Sequence, residues 1–465
     1  MVGHNGGRGA SGRSEPKEVA THRAFSICAL RWKTFWPSLR RKWDDMSVEN
    51  SLDTVPLVIS VDDHVVEPPD LWMSRLPRKY LEVGPRVVRG GSEVGARGST
   101  GVSDDSAAAS TDLHDRLIVA GAHQDKAYDC WVYEDLRKPV TRMAAAVSFA
   151  MDDFGFMGMT YEEMRPGCFQ QPARLADMDL AGIEASLCFP NMFTRFCGQT
   201  FLEAKDHVLA QLCVEAYNDW MVEEWTAGSG GRLIPLCMVP LWDAELAAKE
   251  VFRNAERGVR AVCFSELPAH LGLPSIHSVD RYWDPFFQAC NDTETVICLH
   301  VGSSSQVPIT SNDAPPVLAA MMIQNNSYAS LCDWLFSGVL ARFADLKIAY
   351  SEGEIGWIPF LLERADWVWE RQRAWAGVDR SVMTERPSTY YYEHVFGCFI
   401  SDQHGIDSLE KVGADNVMFE SDYPHSDTNW PFTREVAAKQ LSGLTIDQRN
   451  KILRLNAIRL FSLDL

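Results

Sequence analysis

Acidic and histidine side chains of this sequence stand at the ends of apolar runs that have the character of β-strands. The stretch "VISVDDHVVEPPDLW" (residues 58–72) places Asp62, Asp63 and His64 at the end of such a run, and Glu67 follows. On a strand, residues 62 and 64 point to one side and residue 63 points to the other. A carboxylate and an imidazole that face the same way are typical ligands of a divalent metal ion.

The same pattern recurs at four further apolar runs, which end on Glu266, His300, Glu352 and Asp422. Taken singly, each residue could be a helix cap or a hydrogen-bonded core residue. Taken together, they would bury too much negative charge to be stable without a cation. The predicted metal ligands are Asp62, His64, His300, Glu352 and Asp422, with Glu266 as a candidate bridging carboxylate.

The elements that must position these residues alternate along the chain. Helical patterns, such as those over 204–225, 243–258 and 358–375, separate short apolar runs rich in β-branched residues. The predicted strands cover 57–62, 185–191, 232–241, 259–266, 295–301, 346–352, 396–401 and 416–422. Eight buried parallel strands with intervening helices predict a (β/α)8 barrel of the TIM type, in which all the strands end at one mouth. An open doubly wound sheet is the alternative, although no glycine-rich nucleotide loop follows the first strand.

Two segments differ in composition from this pattern. Residues 1–45 contain nine Lys and Arg against four Asp and Glu, and their start is rich in Gly, Ser and Arg. We interpret them as a disordered or dispensable N-terminal extension, with Met46 as a natural start of the barrel domain 46–465. Residues 89–112 are rich in Gly, Ser and Ala without periodicity, which predicts a mobile low-complexity insertion.

Composition excludes several classes of partner. The chain of 465 residues has a net charge of −19, which disfavours nucleic acid and anionic membrane surfaces. No apolar run approaches the roughly 20 residues that cross a bilayer. The twelve cysteines are scattered singly without a CxxC pair, as expected for free thiols in a reducing cytoplasm. We therefore expect a small-molecule substrate.

Four motifs of this chain resemble those of one known family. The stretches "SVDDHVVEPPDLW", "LHVGSSS", "IAYSEGEIGWIPFLLERAD" and "MFESDYPHSDTNWP" are similar to the amidohydrolase-related family, the branch that contains aminocarboxymuconate-semialdehyde decarboxylase. The resemblance spans roughly residues 55–465 and implies a metal-dependent barrel that commonly forms homo-oligomers. It places His300 at the family's fifth-strand histidine and Asp422 at its eighth-strand aspartate.

The chain departs from the family pattern at two ligand positions. Asp62 stands where the first-strand motif has a histidine, and Glu352 stands where the sixth strand usually has one. Carboxylates in place of imidazoles make the site harder and shift its preference from zinc towards iron or manganese. One or two divalent ions of iron, manganese or zinc are compatible with this ligand set.

Hydrolysis is the leading functional expectation. A metal-bound water would attack a small ester, thioester or amide, with Asp422 carrying the proton, as the resemblance implies, and His425 as a second carrier. Arg195 and Gln199 follow the second strand and are candidate substrate-binding residues, because an arginine offers a bidentate fork to an anion. The alternative is metal-dependent, non-oxidative decarboxylation of an aromatic or enol carboxylic acid. A metal-binding protein without catalysis is a third interpretation.

Overall fold

The computed structural model describes residue 52 and residues 55–90, 127–311 and 313–465. These residues belong to the unit Leu52–Leu465. The expected extension 1–45 lies outside the described residues, as do residues 91–112 of the expected insertion. Both interpretations therefore stay predictions.

The described residues form eleven strands. In chain order they are β1 (Val58–Val65), β2 (Arg86–Gly90), β3 (Tyr128–Tyr133), β4 (Leu136–Pro139), β5 (Ile183–Pro190), β6 (Leu233–Ile234), β7 (Ala261–Phe264), β8 (Val296–His300), β9 (Ile348–Ser351), β10 (Val395–Phe399) and β11 (Val417–Phe419). Eight of them form one sheet in the order β6-β5-β1-β11-β10-β9-β8-β7. Its strands pair in parallel, and each predicted strand overlaps one of them.

The sheet closes on itself just beyond β6. Cys237 forms a parallel bridge with Val262 of β7. The Cys237 backbone N–H donates to the Ala261 carbonyl at 3.1 Å, and the Cys263 N–H donates to the Cys237 carbonyl at 2.9 Å. This closure confirms the predicted TIM-type barrel and excludes the open doubly wound sheet.

Helices follow the barrel strands. In chain order they are α1 (Leu71–Arg75), α2 (Gln171–Ala181), α3 (Gln199–Leu202), α4 (His207–Trp220), α5 (Ala244–Ala255), α6 (Asp284–Asp292), α7 (Pro316–Met322), α8 (Gln324–Phe336), α9 (Val339–Arg342), α10 (Ile358–Arg371), α11 (Arg373–Ala376), α12 (Pro387–His394), α13 (Gln403–Asp407), α14 (Leu409–Val412), α15 (Thr433–Gln440), α16 (Ile446–Asn450) and α17 (Asn456–Phe461). Over the described ranges, none combines the length and apolar character that a membrane crossing requires.

Side-chain caps explain where two of the predicted helices begin. The Asp206 carboxylate accepts hydrogen bonds from the N–H groups of Val208 and Leu209, which starts α4. Asp243 does the same for the N–H groups of Glu245 and Leu246 at the start of α5. These bonds satisfy backbone donors that have no partner within the first helical turn.

A small antiparallel sheet, which the sequence pattern does not predict, lies beside the barrel. Its strands have the order β2-β3-β4, and β3 is buried along its whole length. Trp131 of β3 stacks on Phe193 at 4.8 Å and meets Trp72 edge-on at 5.3 Å. Because Phe193 follows β5, this sheet supports a loop at the mouth of the barrel.

The eleven cysteines in the described ranges are all free, and ten of them are buried. Burial raises the pKa of the Cys168 thiol to about 12, which keeps this thiol protonated and unreactive. The free thiols agree with the expectation from their single, scattered positions.

Candidate metal centre

The strand ends bring five of the predicted ligands to one place. Asp62 and His64 lie in the last half of β1, His300 ends β8, Glu352 follows β9, and Asp422 follows β11. Two backbone hydrogen bonds hold the first and last of these segments together. The His64 N–H donates to the Tyr423 carbonyl at 2.6 Å, and the Asp422 N–H donates to the Asp62 carbonyl at 2.9 Å.

The side chains converge on a small volume around His64. Its Nε2 lies 3.2 Å from His300 Nε2, 3.6 Å from Asp62 Oδ1 and 3.4 Å from Asp422 Oδ1. His300 Nε2 is in turn 3.4 Å from Asp62 Oδ2 and 3.5 Å from Glu352 Oε2. Ligands bound at about 2.1 Å stand roughly 3.0–3.4 Å apart in octahedral and tetrahedral geometry. The observed separations therefore suit ligands that surround one ion.

Two carboxylates of this group, Asp62 and Asp422, are buried without donors to satisfy them. Both oxygens of Asp62 and both of Asp422 are fully buried and have no hydrogen bond of acceptable geometry within the described chain. Such orphaned, charged oxygens are costly in a protein interior unless a cation compensates them. The donor set thus fits a divalent ion.

The histidines do not supply the missing positive charge. Burial lowers the pKa of His300 to about 3, and burial, followed by the neighbouring His425 and His300 rings, holds the pKa of His64 well below its usual range. The Nδ1 of His300 donates to the Val301 carbonyl at 2.6 Å, so the lone pair of the neutral ring lies on Nε2 and faces the centre. Both rings are therefore neutral metal-ligand candidates.

Buried acids accumulate around the centre. Burial, followed by the neighbouring Glu420 and Glu352 carboxylates, raises the pKa of Asp62, and burial followed by Asp422 raises that of Glu352. Glu420 is a further buried acid, whose pKa burial raises to about 8. Glu420 was not among the predicted ligands, although it lies two residues before Asp422 in the predicted strand 416–422.

Aromatic rings enclose the centre from the side of the mouth. Phe196 stacks on His300 with centroids 4.2 Å apart, and His425 stacks on His64 at 3.8 Å. The Phe196 and His425 rings then meet edge-on at 6.3 Å. Phe196 carries neither a charge nor a ligand atom, so its sequence position gives no signal of a place at the centre.

Asp63 points away from the centre, as its position on the strand predicts. Its carboxylate accepts hydrogen bonds from the side chains of Ser60 at 3.0 Å and Ser421 at 2.7 Å, and from the Tyr423 N–H at 3.1 Å. Ser186 of β5 also donates to it. Burial raises the Asp63 pKa, and the buried guanidinium of Arg174 opposes that rise. Asp63 thus ties β1 to both of its neighbouring strands.

Glu67 organises the loop after β5. Its carboxylate accepts hydrogen bonds from the backbone N–H groups of Asn191 at 3.3 Å, Phe193 at 3.4 Å and Thr194 at 3.1 Å. The Thr194 hydroxyl donates to it as well, at 2.5 Å. The loop that carries Phe196 is therefore held from below by a buried acid.

Glu266 uses one carboxylate oxygen to hold the loop after His300, and its other oxygen, Oε2, is buried without a hydrogen-bond partner in the described ranges. Its Oε1 accepts hydrogen bonds from the Gly302 N–H at 2.9 Å, the Ser304 hydroxyl at 2.9 Å and the Asn326 amide at 3.2 Å. Burial raises its pKa to about 7. The groups of side chains that face one another as ligands are Asp62, His64 and His300, and His64, Asp422 and His425. The structure gives Glu266 contacts with the loop after His300.

The two predicted substrate-binding residues differ in burial and in their hydrogen-bond partners. Gln199 is fully buried; its amide donates to the Ser303 carbonyl at 3.0 Å and accepts from the Cys197 N–H at 2.9 Å. Arg195 remains 21% exposed and pairs with Glu203 at 2.7 Å, while it also donates to the Ser305 hydroxyl. Of the two, Arg195 is the one placed at the rim.

Comparison with known proteins identifies a family and several relatives. The family model described as "Amidohydrolase" matches residues 111–463. A gamma-resorcylate decarboxylase from Polaromonas sp. is 24% identical over 329 residues, which cover 68% of this chain and 94% of that protein.

Solved structures share the fold. An amidohydrolase from Mycobacterium avium subsp. paratuberculosis K-10 gives a TM-score of 0.61 at 20% identity and covers 87% of this chain and 99% of that one. A 5-carboxyvanillate decarboxylase from Novosphingobium aromaticivorans, with bound manganese and 3-methoxy-4-hydroxy-5-nitrobenzoic acid, gives 0.54 at 16% identity and covers 88% and 98%. At these identities the likeness establishes the barrel fold alone.

The family model confirms the family resemblance, and the Polaromonas relative contradicts the leading functional expectation. The activity in that relative's name is a decarboxylation. The prediction of an ester, thioester or amide hydrolase is therefore wrong, and the alternative, decarboxylation, agrees with the relatives. The ligand set does not distinguish the two reactions, because a carboxylate-rich set suits a hard divalent ion whatever the reaction.

Proposed function

Because this chain belongs to the amidohydrolase family, we propose that it is a divalent-metal-dependent decarboxylase that removes carbon dioxide from an aromatic or enol carboxylic acid. It is an enzyme of the amidohydrolase superfamily. The observation that carries the specific reaction is its similarity to gamma-resorcylate decarboxylase over 94% of that protein's length. The centre of buried, unpartnered carboxylates and neutral histidines at the barrel mouth supports it.

Asp62, His64, His300 and Asp422 would hold the ion, with Glu352 as a further ligand. A single ion suits the geometry. Two groups of side chains face one another as ligands, Asp62, His64 and His300, and His64, Asp422 and His425, and the two groups meet at the ring of His64. Manganese suits a set in which oxygen ligands predominate, and a structural neighbour contains manganese. When bound, the ion supplies a positive charge that holds the acidic substrate and stabilises negative charge that develops on it.

The reaction requires a proton as well as a charge. The bond between the carboxylate and its neighbouring carbon breaks, carbon dioxide leaves, and a proton joins the carbon that keeps the electron pair. Asp422 and His425 are placed to hold this proton, because His425 Nδ1 lies 3.1 Å from Asp422 Oδ1. The contact with His425 gives the Asp422 carboxylate a neighbouring group with which it can exchange a proton.

The walls of the site favour a flat, unsaturated substrate. Phe196 and His425 stack on the rings of His300 and His64 and meet each other edge-on. Phe189 packs against the ring of His64 at 5.9 Å. Aromatic rings pack well in such surroundings, and their exclusion of water strengthens the interactions of charges inside. The Arg195 guanidinium at the rim would bind an additional anionic or hydroxyl group of the substrate.

The test is a panel of carboxylated phenols and enol acids, incubated with manganese-loaded protein and read by mass spectrometry. Loss of carbon dioxide from at least one aromatic or enol acid is expected, with loss of that activity on chelation and in Asp62→Asn. A manganese-loaded, folded protein that leaves the whole panel intact but adds water to an ester or thioester would overturn the proposal.

A further inference from the structure

Asn191 occupies a fixed position between the barrel mouth and the segment before α2. It follows the last residue of β5 and is buried, and its backbone N–H donates to Glu67 at 3.3 Å. Its side-chain nitrogen donates to the Ala144 carbonyl at 3.2 Å. Because that carbonyl can only accept, the amide nitrogen must face Ala144 and the amide oxygen must face the other way.

The amide oxygen of Asn191 faces His425. The distance from Asn191 Oδ1 to His425 Nε2 is 3.3 Å. An amide oxygen only accepts, so the hydrogen of this contact belongs to His425 Nε2. We propose that Asn191 is a positioning residue that fixes the tautomer and ring orientation of His425, so that Nδ1 is the atom presented to Asp422.

The edge of the His425 ring that carries Nδ1 faces the metal centre, away from Asn191. Nδ1 lies 3.1 Å from Asp422 Oδ1, and the ring stacks on His64 at 3.8 Å with an interplanar angle of 29°. A ring flip would break the contact with Asn191 and the contact with Asp422 together. The ring therefore has one orientation, in which a proton exchanged with Asp422 passes through Nδ1.

This inference rests on the proposed decarboxylation and assigns the delivery of its proton. The carbon that loses carbon dioxide keeps the electron pair of the broken bond and takes up one proton from the Asp422–His425 contact. Water from the mouth then returns a proton to the pair. Asn191 does not touch the reacting atoms; it acts through His425, much as hydrogen-bonded partners orient other functional histidines.

The experiment compares Asn191→Leu, which removes the acceptor, with Asn191→Asp, which keeps an oxygen facing His425. The histidine tautomer is read from ¹⁵N chemical shifts of zinc-loaded, histidine-labelled protein, with His425→Gln to assign the signal. In wild type, Nε2 of His425 should carry the proton. In Asn191→Leu, we expect mixed tautomers and a loss of kcat of about tenfold to a hundredfold with little change in KM.

Asn191→Asp should keep the wild-type tautomer and a kcat closer to wild type than to Asn191→Leu. An Asn191→Leu protein with the wild-type tautomer and kcat would overturn the inference, as would an Asn191→Asp protein that loses both. The result for Asn191→Asp tests the role of Asn191 even if Asn191→Leu does not fold. The tautomer is read without substrate, so absence of decarboxylation in wild type would refute the proposed function and leave the role of Asn191 separately testable.

Discussion

Asp62 and Asp63 are neighbours on one strand, and both are completely buried, yet they are in opposite situations. Asp63 accepts hydrogen bonds from three serine hydroxyls and one backbone N–H, and the guanidinium of Arg174 lies nearby. Asp62 has no hydrogen-bond donor among the residues that the structure describes. A buried carboxylate with donors fastens strands together, whereas one without donors requires a cation.

The same distinction separates two regions of the barrel mouth. Asp422 resembles Asp62, with both oxygens buried and unsatisfied within the described ranges. Glu67 resembles Asp63, because it accepts several hydrogen bonds from the loop after β5. Glu266 is intermediate, because its Oε1 accepts hydrogen bonds from the loop after β8 while its Oε2 is buried without a donor in the described ranges. Acids of the first kind make up the centre, and acids of the second kind hold the loops around it.

Replacement of Asp422 should have the largest effect on activity. Asp422→Asn removes both a metal-ligand charge and a proton carrier, so the rate of decarboxylation should fall by about 10²–10⁴-fold. Steady-state kinetics with the substrate found by the panel measures this loss. Asp427→Asn is the matched control, because Asp427 is exposed and close in sequence. Equal losses in the two variants would mean that general electrostatics rather than the centre is responsible.

Substitutions of Asp62 and Asp63 should change the free energy of unfolding differently. Asp63→Ala leaves three hydroxyls without their acceptor and the buried Arg174 charge uncompensated, so the free energy of unfolding should fall by about 3–5 kcal/mol. Asp62→Asn removes an uncompensated charge and should leave the metal-free protein as stable as wild type or more so.

Urea denaturation of chelator-treated protein measures both changes. The distinction between the two aspartates fails if Asp62→Asn destabilises the metal-free barrel as much as Asp63→Ala does.

Metal binding should strengthen as the pH rises. In the folded, metal-free chain the pKa values of Asp62, Glu352 and Asp422 are raised. Above about pH 4 the unfolded carboxylates lose protons that the folded ones keep, so stability without metal falls as pH rises through the raised pKa values.

The lowered pKa values of His64 and His300 act in the other direction, because their contribution is lost as pH falls below about 6.5. The carboxylates make a bound divalent ion more stabilising at higher pH, since protons compete less for these ligands, whereas the two histidines are already neutral and release no proton on metal binding in this range. The difference in Tm between manganese-loaded and chelated protein should widen from about pH 5.5 to about pH 8. A constant difference would count against these residues as ligands.

Glu266 should give the smallest effect. Glu266→Gln keeps an oxygen that can accept from Gly302, Ser304 and Asn326, so manganese binding should persist and activity should fall by less than about tenfold. Loss of bound manganese from a folded Glu266→Gln protein would support Glu266 as a bridging ligand and contradict its role as an acid that only holds the loop.

Much of the architecture could be predicted because it depends on local pattern. Apolar runs separated by helices give the eight barrel strands, and the convergence of parallel strand ends places Asp62, His300 and Asp422 near one another. The spacing of two between Asp62 and His64 correctly separates Asp63 from them. The antiparallel sheet β2–β4 was missed because its strands flank a long segment of low complexity.

Contacts between distant parts of the chain were not predictable in this way. Asn191 lies 234 residues from His425, and Tyr161 lies 94 residues from the Glu67 carbonyl that accepts its hydroxyl hydrogen bond. Asn191 does end a strand on a polar residue, which is the signal that identified the ligands. The reaction could not be predicted from the ligands, because one hard divalent centre supports both hydrolysis and decarboxylation.

The most direct test is bound manganese per folded chain in wild type, Asp62→Asn and Asp63→Asn, measured by inductively coupled plasma mass spectrometry after gel filtration. Wild type and folded Asp63→Asn should each retain about one ion, and Asp62→Asn should lose it. A folded Asp62→Asn protein that holds as much manganese as wild type would contradict the assignment of the centre.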